Sequence, residues 1–186
     1  MHILFAERGM KVKNIRLWNM AGAAFALVAG TLLHFVYEWF GGNFWAAVGA
    51  VNESTWEHLK LLFFPVLFWW ILEYLFHGRG ERGFFSVRIL AVLAGMLFIV
   101  AGFYTYSGIL GKNYAAVDIS LFVLAVLLTF YLVNRYAEGA SSLPAAADGA
   151  ALAVFVLLAA GFVFYTFTPP HIGIFLDPVT GGYGLS

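Results

Sequence analysis

From Leu17 to Phe40 the chain reads LWNMAGAAFALVAGTLLHFVYEWF, a run whose one formally charged side chain is Glu38. Crossing a hydrocarbon layer of ~30 Å takes about 20 apolar residues in an α-helix. A helix is the form that satisfies its own backbone hydrogen bonds where no water reaches. Comparable runs follow at about Ser54–Phe76, Val87–Leu110, Ala115–Val133 and Ala150–Thr168, the last stopped by Pro169 and Pro170. These runs predict an all-α integral membrane helical bundle of about five transmembrane helices. They form one membrane domain over 1–186, multi-pass in the cell membrane, with the lipid bilayer as its constant partner.

Composition agrees. The chain is 62% hydrophobic and 11% charged, whereas soluble domains hold roughly a quarter charged residues. Its net charge of zero supplies no basic field, so no nucleic-acid partner is expected. The chain has no cysteine, which excludes disulfides, thiolate nucleophiles and cysteine-ligated metals.

Between the spans, Met1–Arg16 reads as a short polar arm. The first apolar run is too long for a signal-peptide core and reads as a retained helix. Gly41–Val51 (GGNFWAAVGAV) is too short to cross, and Phe44 and Trp45 suit an interfacial or re-entrant piece. The tail HIGIFLDPVTGGYGLS holds no span, and Phe175, Leu176 and Tyr183 could fold it back over the bundle mouth.

Basic residues set the expected orientation. With the N-terminus cytoplasmic, Arg8, Lys11, Lys13, Arg16, Arg79, Arg82, Arg88 and Arg135 fall inside, while Lys60 and Lys112 fall outside. The C-terminus is then outside. Acids and histidines distribute the other way. His34 and Glu38, then Glu53, Glu57 and His58, then Asp118, His171 and Asp177 all approach the outer face, with few bases beside them. On the inner side Glu7, Glu81, Glu138 and Asp148 read as a solvated boundary, and Glu73 and His77 are expected to snorkel.

Two stretches carry candidate chemistry. His34 and Glu38 are one helical turn apart, below a row of small residues, Gly22, Ala26 and Gly30, that permits close helix contact in lipid. Ionisable groups at such depth are costly and tend to mark function. The stretch VNESTWEHLKLLFFP fits a capping box, with Ser54 accepting from the Glu57 amide and Glu57 reaching back to the Ser54 amide. Asn52 is an alternative cap, and Glu57 and Lys60 are placed to pair on the surface. Capping leaves Glu53 and His58 unexplained. Asp118 reads as a helix N-terminal charge, and Asp177-Pro178 as turn chemistry.

Imidazoles with carboxylates suit zinc or another divalent transition metal. The expected ligands are His34, Glu38, His58 and His171, with Glu57 as general base on a bound water. Asn52, Glu53, Asp118 and Asp177 are further site candidates. Neither an H-E-x-x-H motif nor the Glu-x-x-His pairs of di-iron bundles occurs.

GAVNESTWEHLKLLFFP, with LLHFVYEW before it, TYSGILG in the third run and PPHIGIFLDPVTGGYG in the tail, resembles an uncharacterised family of small prokaryotic membrane proteins. V-N-E-S-x-W-E-H-L-K-L is its stamp, here Val51 to Leu61. The resemblance covers most of the chain and implies class and location, with no assigned activity. A fainter similarity links the chain to alkaline ceramidases and adiponectin-type receptors, membrane hydrolases that hold zinc with helix-borne histidines. This chain has His34-x-x-x-Glu38 in place of their histidine pair, and five spans in place of seven.

Three functional readings follow. One is a metal-dependent membrane hydrolase acting on a lipid or lipid-linked substrate. The second is a cation- or proton-coupled transporter component, whose five helices would need a homo-oligomer to form a pathway. The third is a structural or partner-docking protein whose outer motif only caps helices.

Overall fold

The computed structural model describes residues 2–185, with side chains from residue 15 to 185. The side chains of Glu7, Arg8, Lys11 and Lys13, counted above for orientation, lie outside the described residues. Among the described residues six α-helices form: α1 (His2–Phe40), α2 (Gly42–Val48), α3 (Thr55–Glu73), α4 (Phe84–Leu110), α5 (Ala115–Ala140) and α6 (Ala145–Phe167). α3 continues through a π-helical turn, Tyr74–Gly78, and a short 3-10 turn, Gly173–Phe175, lies in the tail. α1 begins at His2, so the expected polar arm is the first part of that helix. Among the described residues five helices are long and apolar enough to cross a membrane, the short α2 being the exception. The protein is an integral membrane helical bundle.

α3 runs through the middle, against α1, α4, α5 and α6. Leu62, Phe63, Val66, Val92, Val126 and Phe162 are fully buried around it. α1 reaches α3 along the small-residue row, where Ala26 is fully buried. A Cβ added at Gly22 would lie 2.3 Å from Nε1 of Trp69, and one at Gly30 would lie 2.5 Å from the carbonyl oxygen of Leu61. Pro65 explains that second contact. Lacking an N–H, it cannot donate to Leu61, four residues back in α3. Gly30 brings the α1 backbone against the carbonyl so released, where a Cα–H can approach it.

Several polar groups inside the bundle are paired across helices. Asn19 on α1 donates to Asn134 on α5 at 2.7 Å. Asp148 on α6 accepts from the amides of Gly83 (2.6 Å) and Ser86 (2.9 Å), capping α4 in trans. Asp148 is therefore an architectural cap, where the sequence suggested a solvated boundary charge. Glu73 is corrected more sharply. It does not snorkel; it is buried, 2.5 Å from the guanidinium of Arg88, which lies 3.5 Å over the Phe84 ring. A bundle packed this closely leaves α3 no exit at Glu73, so its charge is met from α4. His77, one turn on, is exposed beside Trp18.

At the opposite end, α2 packs against α6 and α1 and buries Ala46. The tail folds back. Phe175 is buried against Trp56 (4.8 Å between centroids) and Tyr165 (5.5 Å), and Leu176 forms a lone antiparallel bridge with Tyr183.

Candidate functional site

The site is built where α1 ends and α3 begins. His34 is on α1, His58 is one turn into α3, and Glu53 is on the irregular segment between α2 and α3. That segment is tied down at several points. The Ala50 amide donates to the Leu33 carbonyl (3.2 Å), joining it to α1 next to His34. The Val51 amide donates to Oε2 of Glu57 (3.1 Å). Asn52 accepts from the Ser54 amide (2.9 Å) while its own amide donates to Gly184 in the tail (2.9 Å).

Ser54 is the N-cap of α3, accepting from the Glu57 amide at 3.4 Å. Only half of the capping box forms. Asn52 takes the Ser54 amide, so Glu57 is released to hold Val51.

The result is a three-residue cluster. Oε1 of Glu53 is 3.6 Å from Nε2 of His34, Oε2 is 3.4 Å from Nε2 of His58, and the imidazole centroids are 5.3 Å apart. One ligand atom from each residue falls within 4.8 Å of the others. Tetrahedral zinc ligands at ~2.0–2.1 Å from the metal lie about 3.3 Å from one another, so the two imidazole–carboxylate spacings are close to that requirement. Side-chain exposures of 28% for His34, 47% for Glu53 and 32% for His58 leave the cluster open on one side.

His58 carries the more telling detail. Its Nδ1 lies 2.9 Å from the Ser54 carbonyl, which can only accept, so in the neutral ring Nδ1 holds the hydrogen. Nε2 then turns a lone pair toward Glu53. Two lone-pair-bearing groups face each other, an arrangement that a cation or a proton between them relieves. A metal-binding histidine is oriented by the same kind of bond, its other nitrogen donating to a backbone carbonyl.

The remaining candidates fall in different places. Glu38 is exposed on α1 one turn beyond His34, near enough to act electrostatically on that ring. His171 is exposed and stacked on Tyr183 (4.5 Å, 16° between planes). Asp118 accepts from the Tyr106 hydroxyl. Asp177 is buried in its own turn, bonded to the Val179 amide (2.8 Å) and Thr180 hydroxyl (2.7 Å).

Glu57 is not on the surface. Its carboxylate lies 2.5 Å from Nζ of Lys60, both side chains being buried, and Thr166 from α6 completes the group. The expected surface pair is thus an internal one, because α2 and α6 close over it. No sequence signal marked Thr166.

Residues 8–185 match a family described as a family of unknown function, DUF6512. The chain belongs to the DUF6512 family. No curated protein and no solved structure matches it. Membership in DUF6512 fits the expectation of an uncharacterised family, and it leaves the site's chemistry to be argued from geometry.

Proposed function

We propose that the protein is a metal-dependent membrane hydrolase. One zinc-like divalent ion is held by His34, Glu53 and His58, and the substrate is a lipid or lipid-linked molecule. The observation that carries this is the convergence of two imidazole nitrogens and a carboxylate, with His58 already oriented by its bond to the Ser54 carbonyl. Two histidines and a glutamate are a donor set of catalytic zinc sites, where the remaining position takes water. Bound zinc would lower that water's pKa to about 7 and supply a nucleophile at neutral pH.

Glu57, the base expected from sequence, is occupied by Lys60 and buried. Glu38 is the free carboxylate nearest His34 along α1, and it takes the role of proton acceptor. The aromatic surroundings of the site support a membrane-resident substrate. His34 sits beside Phe35, and exposed aromatics continue through Trp39, Phe40 and Phe44, residue types that settle at membrane–water boundaries. On the basic-residue count, the cluster faces away from the cytoplasm.

Metal binding is favoured over conduction by α3 itself. Between its two buried ion pairs it presents Leu61 to Leu72 (LLFFPVLFWWIL), without one ionisable side chain.

Elemental analysis of purified, zinc-supplemented protein tests the reading. About one equivalent of zinc is expected in the parent and a small fraction of it in His58→Ala; parent protein that retains none overturns the proposal. Ester- and amide-bearing amphiphiles then test hydrolysis, with turnover lost in the same variant.

A further inference from the structure

Of the three residues in the cluster, Glu53 alone sits on irregular backbone, so something other than a helix must set its position. The segment before it is held from below by a buried polar group. Nζ of Lys60, fully buried, donates to the carbonyl of Ala46 in α2 (2.8 Å) and to Oγ1 of Thr166 (2.8 Å), and contacts Oε2 of Glu57 at 2.5 Å. The same Oε2 accepts from the Val51 amide at 3.1 Å, while Oε1 accepts from Thr166 at 2.9 Å. One ion pair therefore ties α2, the segment after it, α3 and α6 together, two residues before Glu53.

We infer that the Glu57–Lys60 pair is a positioning element for the metal cluster, placing Glu53 between His34 and His58 through the Val51 amide and the Ala46 carbonyl. This rests on the metal reading above and extends it. Stability alone does not call for the pair, since apolar side chains of similar volume often replace a buried ion pair at no net loss. What apolar side chains cannot supply is a directed acceptor for one backbone amide and a directed donor for one backbone carbonyl. Both are needed where the chain leaves α2 and has no helix of its own. Outer groups that orient metal ligands typically change metal affinity 10–100-fold when removed.

Two double variants separate positioning from mere stability. Glu57→Gln with Lys60→Met keeps an oxygen that can accept from Val51; Glu57→Leu with Lys60→Met does not. Both lose the bond to Ala46, so that loss cancels in the comparison. The expected result is similar melting temperatures for the two. Zinc affinity should be about 10–100-fold weaker in the leucine variant, with faster hydrogen exchange at the Val51 amide in that variant only. Equal affinities and equal exchange would overturn the inference. Should the leucine variant not fold, Thr166→Val is the smaller perturbation; several-fold weaker zinc binding supports the inference, and unchanged binding with unchanged exchange contradicts it. If the parent takes up no zinc, the metal reading fails by itself, while the exchange comparison still decides whether the pair holds the segment.

Discussion

At the scale of single residues, two buried ion pairs and one open cluster divide the ionisable chemistry of α3. Glu73 and Arg88 are both buried, with bonds of 2.5 and 3.3 Å between them, and Arg88 also donates to the Phe84 carbonyl at 3.0 Å. Removing one partner strands the other charge. Glu73→Ala should cost about 3–5 kcal/mol, whereas Glu73→Leu combined with Arg88→Met should cost much less; unfolding in mixed detergent measures both. His34 and His58 behave differently because their cluster is partly open. Metal ligands must shed their protons, so zinc binding should weaken steadily as the pH falls from about 8 to 5. Calorimetric titration at several pH values checks this, and a flat affinity would contradict imidazole ligation.

Much of the residue detail was not written in the local sequence. Serine, glutamate and lysine near a helix start look alike whether the helix begins at the surface or under a folded tail. Lys60 is buried because α2 and α6 close over it, and neither contact has a local signature. Glu53 was visible as a residue that capping did not explain. Its assembly with both imidazoles depends on Ala50 reaching Leu33, a tertiary contact, and on Val51 taking the Glu57 carboxylate that a full capping box would have used.

At the scale of elements, the apolar runs located the five spans well, because a span's length is imposed by the bilayer and not by neighbours. The small-residue row on α1 was legible for a related reason: close packing in lipid selects small side chains. Its partner was not legible, since Pro65 reads as a helix irregularity until the freed Leu61 carbonyl is seen facing Gly30. Gly30→Val should therefore act through the α1–α3 contact, at a cost of about 1–3 kcal/mol or more, while Gly108→Val, with open space around its α-carbon, should cost far less. Thermal unfolding of the two variants side by side gives the comparison. α5 and α6 also extend further, at the end away from the cluster, than hydropathy alone suggested, to Ala140 and from Ala145; the added turn of α6 carries Asp148, the cap on α4.

At the scale of the whole molecule, the cluster lies at the same end of the bundle as the tail. The tail is bound to the site's own segment through Asn52 and Gly184. Orientation can be read directly, because the chain has no cysteine of its own. A single cysteine at Val179, exposed in the tail, should react with an impermeant reagent added to intact cells, and one at Ser142, exposed between α5 and α6, should stay protected. The reverse pattern would place the cluster on the cytoplasmic side and with it any substrate.

The central claim is that two imidazoles and one carboxylate, from α1, α3 and the segment between α2 and α3, share a single divalent ion. X-ray absorption at the zinc edge of the loaded protein tests it most directly. The account predicts a first shell at about 2.0–2.1 Å that contains two imidazole nitrogens and carboxylate or water oxygen, with the imidazole scattering halved in His34→Ala. A shell of oxygen alone, or one unchanged by that substitution, would contradict it.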